Sequence, residues 1–269
     1  MDRATYDALD AVNWSTLRHL VKSPAHYQHY LKEGRPDTPA MLLGRAVHKA
    51  ALEPRAFTEA FTVAPEGLDR RTKEGKAQWA ALVNSGLAVL SAGEFGLCLA
   101  LQAAVRADPE AAAYLRGGEA EVCLQWTDPI FGFACKGLVD FVGDGLLVDL
   151  KTTRDASPWG FGRECYNFKY HCQLAHYAQG YEFQYGKRPR VVLIAVEKDG
   201  PLAVQCYEIP EDVLTLGRAT VDGLFQTLKD CRASGQWHGY GVGTMQLQLP
   251  KWAMPDVDAD DTGEAGEAW

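Results

Sequence analysis

The sequence predicts an α/β protein: a mixed central β-sheet flanked by helices and preceded by a helical cover. Three observations carry that prediction. The stretch from Cys135 to Thr153 (CKGLVDFVGDGLLVDLKTT) reads as two strands, 136–142 and 146–152, rich in leucine and β-branched residues and joined by Gly143-Asp144-Gly145, a hairpin signal. Residues 191–196 (VVLIAV) form a continuous apolar run that suits a strand buried on both faces, with 202–209 as its partner. Helical patterns occupy the segments before and between these strands, so the order helices, three antiparallel strands, helix, strand requires a mixed sheet with helices packed on it.

Composition sets the bounds. With 269 residues, 47% of them hydrophobic and 23% charged, the chain can bury one sizeable core. A single domain over 1–254 is expected, followed by an acidic, disordered tail over 255–269. The tail holds Asp256, Asp258, Asp260, Asp261, Glu264 and Glu267 and no Lys or Arg. The net charge of −8 excludes a protein that coats nucleic acid by bulk electrostatics, but without the tail the chain is close to neutral. Seven scattered cysteines with no CxxC pair indicate neither a disulfide framework nor a zinc ribbon, and are read as reduced, mostly buried thiols. No apolar run approaches the roughly 18 residues that span a bilayer, and MDRATYDALD lacks a basic start followed by an apolar stretch. No membrane partner and a cytoplasmic location are therefore expected.

In chain order, Asn13 or Ser15 caps a short helix through Leu20, and Ser23-Pro24 starts another to about residue 31. Thr38-Pro39 begins a helix to about Glu53 with Leu43, Val47 and Ala51 as its buried stripe. Gly44 and His48 lie one turn apart on it. A mid-helix glycine costs about 1 kcal/mol against alanine, so Gly44 marks a close approach of the backbone to a neighbour, to which His48 is then also presented. His48 by itself reads either as a hydrogen-bonded structural residue or as a ligand. Residues 64–76 (APEGLDRRTKEGK) form a loop carrying Arg70, Arg71, Lys73 and Lys76, the densest basic cluster in the chain: a solvated loop, or an arm that neutralises phosphates. Helices follow over 76–84, 91–106 and 109–115. Strand 119–127 alternates, with Glu119, Glu121, Cys123 and Gln125 on one face; Glu121 either joins an acidic cluster or is an exposed edge residue. A short helix over 158–166 precedes a long one over 168–185 in which Tyr170, Gln173 and Tyr177 share a stripe, and a final amphipathic helix runs from 210 to about 233.

The hairpin carries the chemistry. If Asp144-Gly145 are its turn residues, Gly143 faces Leu146, and counting back sets Asp140 opposite Asp149 with the two carboxylates about 5 Å apart. Lys151 shares the face of Asp149, while Leu146, Val148 and Leu150 point the other way into a core. Like charges so placed destabilise a hairpin unless a cation lies between them, and a divalent ion with hard oxygen ligands fits. The alternative is the wet face of an amphipathic hairpin.

These residues in this order resemble the PD-(D/E)xK nuclease superfamily, and within it the phage-type exonucleases like RecE (exonuclease VIII). The resemblance rests on Gly44-x-x-x-His48, Glu121, Gly137-Leu-Val-Asp140, Asp149-Leu-Lys151 and Tyr170-x-x-Gln173-x-x-x-Tyr177, and touches SPAHY at Ser23–Tyr27, the DRRTKEGK loop and LPKWA at Leu249–Ala253. Val139 stands where a proline often precedes the first aspartate. The resemblance implies a restriction-endonuclease-like core and a metal-dependent exodeoxyribonuclease acting on ends of linear double-stranded DNA, 5′ to 3′, in phage-type recombination in a bacterial host cell. It implies magnesium or manganese on His48, Asp140, Asp149 and the Leu150 carbonyl, with Glu121 as a further ligand. Lys151 is placed at the attacking water and scissile phosphate, with Asp140, Asp149, Gln173 and Tyr177 in the catalytic group. Arg70, Arg71, Lys73, Lys76, Gln173 and Tyr177 are placed on DNA. Lys151 either orients water or serves as a base. No iron–sulfur cluster is expected; a single-strand annealing protein and a ring of copies are the implied partners. Two alternatives stay open, a structure-specific or single-strand nuclease of the same fold and a non-cutting DNA-binding or partner-loading module.

Overall fold

The computed structural model describes residues 3–34, 38–241 and 243–249; the acidic tail and Pro250 to Ala253 of the LPKWA segment lie outside the described residues. The cover consists of α1 (Arg3–Ala8), α2 (Trp14–Leu17), a 3-10 turn (Arg18–Val21) and α3 (Pro24–Glu33). Asn13 caps α2 by accepting from the Thr16 amide at 2.8 Å, and Ser23 caps α3. The helix expected through Leu20 tightens to 3-10 geometry after Leu17.

Next come α4 (Pro39–Leu52), α5 (Pro54–Ala60), β1 (Phe61–Val63), α6 (Lys73–Asn84), β2 (Ala88–Leu90), α7 (Ala92–Ala107) and α8 (Pro109–Tyr114). Thr38, Thr72, Ser91 and Asp108 each accept from the amide three residues on and so fix four of these helix starts. Because Thr72 starts α6, Lys73 and Lys76 lie on a helix's first turns, not in the loop expected over 64–76. β1 and β2 pair in parallel as a separate two-stranded sheet, too short to leave a sequence pattern. α4 buries Ala46, Val47, Ala50 and Ala51, with Leu43 at the margin, so its inner face is turned slightly from the expected stripe. Among the described residues the close approach expected at Gly44 is not made: a Cβ there would meet none of them within 4 Å, and the space one turn from His48 is open to them.

The main sheet comprises β3 (Glu119–Thr127), β4 (Ala134–Gly143), β5 (Leu146–Thr153), β6 (Arg190–Glu197) and β7 (Val204–Glu208), adjacent in that order. Between β5 and β6 run α9 (Pro158–Phe168) and α10 (Tyr170–Tyr185), and α11 (Glu211–Ser234) closes the fold. The β5–β6 pair is parallel and the other pairs are antiparallel, the mixed sheet that the element order required. The helix expected over 168–185 is broken at its start, since Lys169 takes a left-handed conformation (φ +61°) between α9 and α10.

The sheet separates two cores. Leu147, Val191, Leu193 and Ala195 pack under α10 and α11, with Trp14, Leu17 and Tyr27 of the cover. Val148, Leu150, Val192, Ile194 and Val196 pack under α4 and α7. Alternation on β5 and β6 is therefore strict, as two buried faces require. α11 is also tied to the β3–β4 turn: Arg218 pairs with buried Asp128 at 2.7 Å, and Asp128 in turn accepts from the Ile130 and Phe131 amides.

Candidate active site

The hairpin register is the one its turn chemistry dictates. Gly145 takes φ +70°, Gly143 pairs with Leu146, and pairing runs to Phe141–Val148. Continued one step, that register sets Asp140 opposite Asp149, but the ladder ends before them. The Leu150 amide, which a ladder partner would otherwise occupy, donates to Asp140 Oδ2 at 2.7 Å. The strands part at the two aspartates, and the carboxylates take different partners.

On its other side Asp140 is matched by β3. Ala120 pairs with Phe141 and Val122 with Val139, so Glu121 stands opposite Asp140, in a left-handed conformation (φ +53°) that side chains seldom adopt. Here both strands change face. Cys135 and Val139 belong to the core under α10 and Phe141 to the core under α4, although strict alternation would place Val139 and Phe141 together. Val122 and Ala120 divide in the same way. The paired reversal keeps register and aims Glu121 and Asp140 towards α4, from which His48 reaches Asp140 Oδ1 through Nδ1 at 3.2 Å. One ligand atom from each of His48, Glu121 and Asp140 lies within 4.8 Å of the others.

Burial and mutual charge set the state of each group in this cluster. Burial works against charge on Asp140, but the His48 ring and the Leu150 amide outweigh it and hold that carboxyl below the usual range. Burial likewise opposes charge on His48, and Asp140 wins, so the ring lies above its ordinary value. Glu121 is raised, by burial first and then by Asp140. Two acids and an imidazole of this spacing suit a divalent ion with oxygen and nitrogen ligands.

From the other layer, Asp149 forms an ion pair with Lys151. Asp149 is 1% exposed; burial and then the proximity of Asp140 push it up to about 6 despite Lys151. Burial would strip the proton from Lys151, but Asp149 and then Asp140 hold it charged, above its usual range. The Lys151 ammonium lies 5.0 Å from the centroid of the Tyr170 ring. Gln173 Nε2 donates to the Tyr177 hydroxyl at 3.0 Å, and the Tyr177 ring fills the space that a side chain at Gly137 would need. The site thus straddles the sheet, with His48 from one helical layer and Tyr170, Gln173 and Tyr177 from the other.

Leu150 contributes its amide to Asp140, and Asp149 forms its ion pair with Lys151, outside the group of His48, Glu121 and Asp140. Of the basic cluster, Arg71 is held by both carboxylate oxygens of Asp69, and the Arg70 guanidinium lies 4.3 Å from the centroid of the Trp79 ring. Lys73 and Lys76 are exposed. Glu164 was missed by sequence reading: it accepts from Thr153 Oγ1 at 2.7 Å and from the Tyr170 hydroxyl at 3.3 Å, so it sets the ring beside Lys151. The only sequence signal for it is an acid on the inner face of the short helix after the hairpin.

The fold is shared with a solved structure. A protein from Eubacterium rectale described as a candidate exonuclease superposes with a TM-score of 0.65 over 93% of this chain and 95% of its own, at 14% identity, which establishes the fold alone. A structure described as SSO0001 aligns over 75% of this chain and 83% of its own at 15% identity and a TM-score of 0.30, too low to carry an argument. No curated protein matches the sequence. Residues 13–246 match the family described as a PDDEXK-like domain of unknown function (DUF3799), and with the split hairpin and its Asp140, Asp149 and Lys151 in place, the chain belongs to that family.

Proposed function

We propose that the protein is a metal-dependent nuclease that hydrolyses phosphodiester bonds of DNA, and more narrowly an exodeoxyribonuclease acting on the ends of linear duplexes. The observation that carries this is the juxtaposition of the His48–Glu121–Asp140 cluster with the Asp149–Lys151 ion pair across the parted strands. The cluster has the donor set of a magnesium or manganese site, with Asp149 beside it as a further acid. When bound, such an ion supplies charge to polarise a phosphoryl oxygen and to lower the pKa of water.

The chain's own residues do the rest. Lys151, held protonated by two carboxylates, acts as a fixed cation that meets the scissile phosphate and orients the attacking water. Tyr170, positioned by Glu164, packs against that ammonium and limits where it points. Gln173 and Tyr177 form a hydrogen-bonded pair beside it, able to donate to a phosphate oxygen. Arg70, Lys73 and Lys76 supply backbone contacts outside the site, which position without reading sequence. The sequence resemblance to RecE supports the finer reading of 5′-to-3′ polarity, a role in phage-type recombination with an annealing protein, and a ring of copies.

The test uses linear duplex labelled at either the 5′ or the 3′ end, with magnesium or with EDTA, beside Asp149→Ala. Magnesium-dependent release of the 5′ label by the wild type, lowered at least about a hundredfold in the variant, is the expected result. DNA binding without cleavage under any divalent metal would instead favour a non-cutting module.

A further inference from the structure

α9 has two unlike faces. Its inner face serves the site: Phe161 is buried in the core, and Glu164 holds Thr153 and Tyr170, whose ring packs on Lys151. Its outer face is largely left in water, with Tyr166 stacked on His171 of α10 at 6.0 Å between ring centroids. Trp159, Arg163 and Tyr166, four and three residues apart, make one stripe, with Trp159 78% exposed, Tyr166 60% exposed and Arg163 exposed. Lys169, fixed in its left-handed conformation just past the helix, sets its ammonium 3.9 Å from the centroid of the Tyr166 ring. A depression of ≈ 420 Å³ lies along this stripe.

A tryptophan and a tyrosine left in water side by side mark a contact surface, since packing them inward would have contributed to the core. The charges say what kind. In a chain of net charge −8 the stripe alternates ring and cation, and Glu164, the single acid of α9, is turned inward. Alternating rings and cations match alternating bases and phosphates. Spacing then separates single strand from duplex. Trp159 and Tyr166 are about 10 Å apart along the helix axis at ~1.5 Å per residue, roughly three times the ~3.4 Å step between stacked bases in one strand of a duplex. An extended strand with unpaired bases can offer rings to both.

We propose that the outer face of α9 binds single-stranded DNA, with unpaired bases stacking on Trp159 and Tyr166 and phosphates meeting Arg163 and Lys169. The face thereby holds one strand beside the site that the inner face of the same helix builds. This rests on the nuclease reading for the identity of the polymer.

The experiment measures fluorescence anisotropy of a labelled oligothymidylate and of a labelled blunt duplex in EDTA, so that no cleavage enters, with wild type, Trp159→Ala, Trp159→Phe and Arg163→Gln. Because Trp159 is exposed, its replacement should leave the fold intact, and circular dichroism of each variant is the check. Trp159→Ala is expected to weaken oligothymidylate binding about fivefold or more, as loss of one stacked base does. Duplex binding should change less than twofold, and Trp159→Phe should keep most of the affinity. Unchanged oligothymidylate binding in Trp159→Ala overturns the proposal, and so does an equal loss for both probes. If single-strand binding is unchanged and the variant instead loses self-association in sedimentation, the face is a contact between copies and the proposal is again overturned. The two readings fail separately. Trp159-dependent single-strand binding without metal-dependent cleavage would keep this surface and sink the nuclease, whereas cleavage with Trp159-independent binding would do the reverse.

Discussion

His48, Glu121 and Asp140 converge, and Asp140 holds the His48 ring above its usual pKa, against the pull of burial. A raised folded-state value means the proton stabilises the metal-free protein below the ordinary imidazole range, and that contribution is lost as pH rises through the raised value. A metal needs the neutral ring, so proton and metal compete. The rise in melting temperature on adding manganese should therefore be larger at pH 8 than at pH 6. Equal shifts at both pH values would remove His48 from the ligand set. Glu121→Gln should reduce the manganese-induced shift at pH 8, since it removes one of three clustered donors. None of this was fully legible in the sequence. Glu121 could be read as an edge residue because strict alternation says nothing of a left-handed φ, and it is that conformation which turns the side chain to Asp140.

At the scale of elements, the start of the helical cover depends on long-range ties to β4. α1, only six residues long, is too short to hold itself. Its last turn and the residue after it are held by Lys136, a buried lysine of β4 whose ammonium donates to the carbonyls of Tyr6 at 2.7 Å, Asp7 at 3.3 Å and Leu9 at 2.8 Å. Lys136→Met, which keeps the stem and deletes the donors, should cost about 2–3 kcal/mol in urea denaturation and speed amide exchange in residues 3–12. An unchanged midpoint would show that the carbonyls find other partners. The bond spans 130 residues in the case of Tyr6, which is why no local pattern revealed α1. By contrast, the capped starts at Thr38, Ser91, Asp108 and Ser157 could be read locally, because a cap and its acceptor amide lie within three residues.

For the whole molecule, the site depends on how closely α10 and α11 approach each other and the sheet. At Gly217 of α11 a Cβ would lie 2.3 Å from the His171 carbonyl oxygen of α10, and at Gly180 of α10 one would lie 2.6 Å from the Trp126 ring. Gly217→Ala should therefore push apart the two helices and destabilise the fold by about 1–3 kcal/mol, read from the denaturation midpoint. Gly223, on the same helix with nothing within 4 Å, is the control, and its alanine variant should be neutral or slightly stabilising. A cost at Gly223 as large as at Gly217 would show that helix approach is not the cause.

The sequence by itself determined the sheet, the hairpin register and most helix starts, because each follows from neighbours a few residues apart: Asp144-Gly145 sets Gly143 against Leu146, and VVLIAV marks a strand with two buried faces. It also placed Asp140, Asp149 and Lys151 on adjoining strands. Only the tertiary structure decided which partner each charge takes. The parting of β4 from β5 gives Asp140 to His48 and the Leu150 amide and Asp149 to Lys151, and the reversal at Glu121 and Asp140 turns both acids to α4. The physical reason is that a carboxylate's state is set by whatever desolvates and neutralises it, and here those groups come from β5 itself, through Lys151 and the Leu150 amide, and from His48 of the helical layer on one side of the sheet.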